Sequence, residues 1–187
     1  NSFCIKNHDS KIADFGCGAG TFLVRAYGRI RYLNSYKKHE EILKQLLGVD
    51  ISKFAAHLSM INLAIRDLSK TENYPLILCK DFFDIFSSST GKWPKTSIES
   101  IEDLSGTKKE IEIPRILDAV VGNPPYTRQE ELEVYEENYK QKLQDTLKKD
   151  WGENIILGKR AGIYAYFFLH GLSFLKEGGR LGYITSN

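Results

Sequence analysis

The sequence predicts an α/β protein, an open and mostly parallel sheet with helices on both faces. Three observations predict it. Short apolar runs alternate with helical segments along the chain, which is the pattern of strand–helix–strand units. The first run feeds a glycine-rich loop, Gly16-Cys17-Gly18-Ala19-Gly20, that opens into a helix. The later runs lead to Asp50, Asp81 and Asn123, residues whose side chains accept hydrogen bonds. Open α/β sheets bind ligands beyond the carboxyl ends of their strands, so these residues converge on one crevice.

Composition sets the outer bounds. At 187 residues the chain suits one domain with a full-sized core, here residues 1–187 with an insertion at about 87–114. Apolar residues make up 42% and charged residues 27%, and the net charge is +2. That balance leaves no strong electrostatic footprint for nucleic acid. The three cysteines, Cys4, Cys17 and Cys79, are too few and too scattered for a disulfide framework or a metal site, so a reducing cytoplasm is the expected location. No apolar run reaches the length of a membrane span. The chain begins at Asn1 and stops at Thr185-Ser186-Asn187 directly after a strand-like run. Both ends read as cuts within a longer protein.

Lys11 to Phe15 is the first strand. The G-x-G-x-G spacing after it departs from the G-x-G-x-x-G of dinucleotide folds and disfavours nicotinamide. Thr21 to Tyr27 starts a helix. Ser35 to Leu46 is charged and reads as a solvated helix. Leu47 to Ile51 is a strand ending in Asp50, an acid placed to receive a ribose hydroxyl pair, and Ser52 is the N-cap of the next helix. That helix runs from about Lys53 to Leu68, with Phe54, Leu58, Ile61, Ile65 and Leu68 on one face as expected core residues. His57 and Met60 beside this face carry no expected chemistry.

Pro75 to Lys80 is the third strand. The sequence after it, Asp81-Phe82-Phe83-Asp84, supports two readings: an acid that accepts from a purine amine with an aromatic covering the ring, or a loop with both phenylalanines in the core. Ser87 to Pro114 is an insertion with a small hairpin near Lys109 to Ile113. Ile116 to Val121 is the fourth strand. Leu132, Tyr135, Tyr139 and Leu143 share one face of an amphipathic helix. Ile163 to Leu175 is apolar nearly all round and reads as a buried helix closed by Gly178-Gly179. Arg180 to Thr185 is the fifth strand.

The fourth strand leads into Gly122-Asn123-Pro124-Pro125-Tyr126. Two prolines strip the turn of N–H donors and leave carbonyls. Asn123 adds a side-chain amide and Tyr126 a flat ring. Such a turn suits a planar ligand that carries an amino group.

Taken in order, Asp14 to Gly20, Asp50, Asp81-Phe82, Asn123-Pro124-Pro125-Tyr126 and Gly178 to Thr185 resemble the S-adenosylmethionine-dependent, adenine-specific DNA methyltransferases of restriction-modification systems. The resemblance implies a Rossmann-like class I methyltransferase fold, here truncated at both ends. It implies that Gly16, Gly18 and Gly20 let the backbone pass close to the methionine part of S-adenosyl-L-methionine, and that Asp14 fixes their loop. Asp50 would hold the ribose hydroxyls and Ile51 would pack on the adenine ring. Asp81 would accept from the cofactor's adenine amine, with Phe82 beside it. Asn123 and Pro124 would accept the hydrogens of the target amine, Pro125 would complete the turn, and Tyr126 would stack on the target base. No metal is implied. The partner would be double-stranded DNA, read by a recognition domain outside this chain, with nuclease and specificity parts fused or separate.

The same turn also occurs in methyltransferases that act on a release-factor glutamine, and related turns occur in ribosomal RNA methyltransferases; these are the nearest alternatives. A non-catalytic methyltransferase-like binding module is the alternative of another class.

Overall fold

The computed structural model describes residues 3–69, 74–87, 96–102, 108–125, 138–158 and 161–185. Its centre is a five-stranded sheet in which every pairing is parallel. The strands are β1 (Ile12–Asp14), β2 (Leu46–Asp50), β3 (Leu76–Cys79), β6 (Leu117–Gly122) and β7 (Leu175–Tyr183), in the order β3-β2-β1-β6-β7. Between β3 and β6 stands an antiparallel hairpin, β4 (Thr96–Glu102) and β5 (Lys108–Pro114), larger than the one expected. The helices are α1 (Thr21–Leu33), α2 (His39–Leu43), α3 (Lys53–Ala64), α4 (Tyr139–Trp151) and α5 (Ile163–Ser173).

Alternation along the strands builds two cores. Ile12, Leu46, Ile77, Ala119 and Val121 point to one face and meet Leu23, Ile30, Met60 and Leu63 of α1 and α3. Ala13, Leu47, Val49, Leu78 and Val120 point to the other and meet Leu143, Leu147, Tyr166 and Phe167 of α4 and α5. A sheet covered on both faces explains why its strands read as continuous apolar runs. The chain moves outward from β1 to β2 and β3, then returns to lay β6 on the other side of β1. The strand order therefore reverses at β1 and β6, and the carboxyl ends of these two strands flank the crevice.

Four expectations are corrected. First, Phe54, Ile61, Ile65 and Leu68 are not core, since Phe54 is 79% and Leu68 80% exposed. Helix α3 turns its other stripe, Ala56, Ser59, Met60 and Leu63, to the sheet. Ala56 and Ser59 are small and let the helix backbone approach closely. Second, the helix expected over Ser35 to Leu46 shrinks to His39–Leu43, and its His39, Ile42 and Leu43 are buried. Third, α5 ends at Ser173 rather than at the glycine pair, and it exposes Tyr164 and Phe168. Fourth, Gly178 (φ 73°) and Gly179 belong to β7, whose pairing to β6 shifts register between Leu117 and Ala119. Here the glycines shape a strand irregularity, not a helix cap. Leu132 and Tyr135 of the expected amphipathic helix lie outside the described residues. Its later part is α4, with Leu143 fully buried.

Candidate active site

The glycine loop is held from below. Gly18 (φ 51°) and Gly20 (φ 82°) adopt left-handed backbone that side chains resist. At Gly20 space also forbids a side chain, because a Cβ there would lie 2.5 Å from Ser59 Oγ of α3. The Asn62 side-chain amide of the same helix donates to the Ala19 carbonyl at 2.9 Å. Above Gly18 the space is open, with nothing within 4 Å of a Cβ position among the described residues. The loop thus packs tightly on α3 and presents an open surface to the crevice.

Asp14 and Asp50 shape the loop's two sides. Asp50 accepts from the Gly18 N–H at 2.9 Å and from the Ser52 N–H at 2.9 Å. Ser52 in turn caps α3 by accepting from the Ala55 N–H. Ile51 projects beside Asp50 and is 73% exposed, which leaves an apolar surface at the rim. Asp14, at the end of β1, is fully buried and accepts from the Gly16 N–H at 3.2 Å. Its Oδ2 has no hydrogen-bond partner among the described residues, nor does the Tyr183 hydroxyl at the end of β7. Burial pushes the Asp14 carboxyl up to about 7; the Gly16 N–H works against this and the Asp50 carboxylate adds to it. Burial, with the Asp14 carboxyl nearby, also holds the Tyr183 phenol well above its ordinary value. Cys17 within the loop is buried, and burial pushes its thiol up, so it is no nucleophile.

The Asn-Pro-Pro turn sits directly against this loop. A Cβ on Gly122 would lie 2.6 Å from Asp14 Oδ1, so β6 can pass here only with glycine. The Asn123 carbonyl lies 3.9 Å from a Cβ position on Gly16. The Gly122 carbonyl accepts from the Ile184 N–H at 3.0 Å, which ties the strand end to the residue after β7. Asn123 is exposed, Pro124 is buried and Pro125 is half-buried. Tyr126 lies outside the described residues.

Asp81 and Phe82 part company. Asp81 stays near the surface, where Oδ1 accepts from the Phe83 N–H and Oδ2 pairs with Lys142 Nζ at 2.7 Å. Tyr139 Oη lies 3.4 Å from Oδ1. Lys142 also pairs with Asp84 at 2.8 Å. Burial works the other way, but these two carboxylates hold the Lys142 ammonium above its ordinary value. The Phe82 ring is 2% exposed and stacks on Phe15 at 4.1 Å. It also touches Phe167, His170 and Phe174. The core reading of Phe82 and Phe83 therefore describes their rings, and the ring of Phe82 is not available to cover a ligand.

Sequence reasoning did not find Ser59, Asn62, Tyr139 or Lys142. Each acts on a residue far away in the chain, and nothing in its own neighbourhood marks it.

This parallel sheet, with its order reversing at a glycine loop, is the Rossmann-like class I methyltransferase fold. Residues 44–187 match the model of the Eco57I restriction-modification methylase family, and the chain belongs to that family. No curated protein sequence matches it. Among solved structures, the chain is similar to the type IIG restriction endonuclease BpuSI, with TM-score 0.59 and 18% identity over 94% of this chain and 16% of that one. It is also similar to the ATP-dependent type ISP restriction-modification enzyme LlaBIII bound to DNA, with TM-score 0.57 and 19% identity over 96% of this chain and 13% of that one. A third is DrdV in complex with DNA, with TM-score 0.55 and 16% identity over 94% and 17%. The chain thus spans less than a fifth of each of these proteins.

Proposed function

We propose that the protein transfers a methyl group from S-adenosyl-L-methionine to the exocyclic amine of an adenine in DNA, within a restriction-modification system. One observation carries this reading. The Asn123 turn lies against the glycine loop, with Asp14 wedged beneath both. A ligand on the loop and an amine on the turn would meet.

The residues fit the cofactor. Among the described residues, nothing covers the surface above Gly18 and the buried Asp14 Oδ2 has no hydrogen-bond partner. Gly16, Gly18 and Gly20 would cradle the methionine part. Asp50, already oriented by two N–H donors, would accept from the ribose hydroxyls, and Ile51 would supply an apolar wall for the adenine. Asp81 would accept from the adenine amine, exchanging or sharing its contact with Lys142. Phe82 would contribute through its backbone edge, since its ring is in the core. The cofactor, when bound, supplies an electrophilic methyl group.

The chain's own task is the amine. The lone pair of an adenine amine is delocalised into the ring, so the amine is a poor nucleophile. Asn123 Oδ1 and the Pro124 carbonyl would accept its two hydrogens and localise that pair. Both acceptors also stabilise positive charge as it develops on nitrogen, which is electrostatic preorganisation. Pro125 stiffens the turn and Tyr126 would stack on the base. A base inside a duplex would have to be flipped out, at a cost of roughly a few kcal/mol. Stacking on Tyr126 would offset on the order of 1–3 kcal/mol of that. DNA sequence would be read by parts outside this chain.

The experiment offers methyl-labelled cofactor and DNA, ribosomal RNA or release factor to the full-length protein. Label on adenine in DNA supports the reading. Label in RNA or protein alone replaces it with one of the related methyltransferases. Calorimetry on the folded full-length protein with no heat from S-adenosylmethionine replaces it with a non-catalytic module.

A further inference from the structure

His170 lies on α5 with its side chain fully buried, outside the predicted site. Both of its ring nitrogens meet oxygen acceptors. Nδ1 is 2.5 Å from Oδ2 of Asp150, a buried carboxylate in the last turn of α4. Nε2 is 3.0 Å from the Ile85 carbonyl and 3.3 Å from the Phe82 carbonyl. A carbonyl can only accept, and an ionised carboxylate can only accept. Nε2 must therefore carry the hydrogen that it gives to the carbonyls, and one proton lies between Nδ1 and Oδ2. Aromatic rings surround the imidazole. Phe83 stacks on it at 5.3 Å and 17°, and Phe82 and Phe174 flank it.

The two carbonyls that His170 holds belong to the turn that presents Asp81. Residues Phe82–Asp84 form a 3-10 turn whose N-cap is Asp81 and whose C-cap is Ile85. His170 therefore grips both ends of that turn from within the core. We propose that His170, anchored by Asp150, is the positioning residue that fixes the Phe82–Ile85 turn and thereby the Asp81 carboxylate for the cofactor's adenine. The link to the cofactor rests on the function proposed above; the clamp itself rests on geometry alone.

The conservative change is Asp150→Asn. Its amide can donate to Nδ1 while the ring keeps its Nε2–H on the Ile85 carbonyl, so the clamp survives. His170→Phe fills the space and removes both donors. Nitrogen NMR is expected to show Nε2 of His170 protonated in both the wild type and D150N. Amide hydrogen exchange at Phe83, Asp84 and Ile85 is expected to rise about tenfold or more in H170F, with the central strands unchanged, and to stay near wild type in D150N. Cofactor affinity should fall about tenfold in H170F and little in D150N.

An unprotonated Nε2 in the wild type overturns the donation to the turn. Unchanged exchange of the turn in H170F overturns the clamp. If H170F fails to fold, His170→Gln, which keeps a single amide donor for the Ile85 carbonyl, is read by the same exchange. A wild type that binds no S-adenosylmethionine sinks the proposed function, while the NMR and exchange results still decide the clamp.

Discussion

The Asp50 carboxylate accepts the Gly18 N–H at 2.9 Å and so joins the end of β2 to the glycine loop 32 residues earlier. Its other oxygen accepts from Ser52 at the start of α3. One side chain therefore sets the loop, the helix entry and the acceptor offered to a ribose. Asp50→Asn would turn an amide donor against one of two N–H groups. The expected cost is about 1–3 kcal/mol in chemical denaturation. Calorimetry should show S-adenosylmethionine binding weakened at least about tenfold, since charge-assisted bonds are lost as well. Cofactor affinity equal to wild type in D50N would contradict this assignment.

Asp14 makes stability depend on pH. Its carboxyl sits at about 7 in the folded protein against an ordinary value of 3.8, because it is buried. Between those values the folded chain holds a proton that the unfolded chain has released. Its contribution is therefore present below about pH 4 and is lost as pH rises to about 7. Asp14→Asn keeps an acceptor for Gly16 and removes the titration. Urea denaturation should show this wild-type decline, on the order of a few kcal/mol, flattened in D14N. A parallel decline in both proteins would contradict the assignment.

The two left-handed glycines separate backbone from space. Gly18→Ala faces open surroundings and should cost about 1–2 kcal/mol for backbone alone. Gly20→Ala adds a collision with Ser59 and should cost clearly more. Thermal melts of both variants check the order, and equal losses would contradict it.

Phe82 distinguishes core from ligand contact. With its ring buried against Phe15, Phe82→Ala should lose about 3–5 kcal/mol, as for other large aromatic deletions in cores. Phe82→Leu should cost much less, and its cofactor affinity should stay near wild type, because the backbone edge remains. A large loss of affinity in a well-folded F82L would restore the ring to the ligand.

The parallel sheet and the strand-end residues were legible because each is signalled locally. A β-branched run, then Gly-Asn-Pro-Pro, marks a buried strand that stops, and alternate glycines mark a tight loop. Helix α3 was misread because both of its faces are apolar. Phe54 and Ile61 outweigh Ala56 and Ser59 in hydrophobicity, yet close packing on the sheet selects the small residues. Phe82 was undecidable for a similar reason, since its position beside Asp81 fits both readings and only the surrounding rings choose. Lys142 pairs with Asp81 from 61 residues away, and His170 reaches the same turn from 85 and 88 residues away. Such contacts arise from tertiary packing and leave no local pattern.

The most direct test of the proposed chemistry is the fate of the label when Asn123 is changed. The full-length protein and its Asn123→Ala variant are incubated with methyl-labelled S-adenosylmethionine and DNA, and cofactor binding is measured in parallel. Labelled N6-methyladenine is expected from the wild type. In N123A the rate is expected to fall by at least about a hundredfold, comparable to removing one preorganised donor elsewhere, with cofactor affinity and melting temperature unchanged. Undiminished adenine methylation by a folded N123A protein would contradict the proposed chemistry.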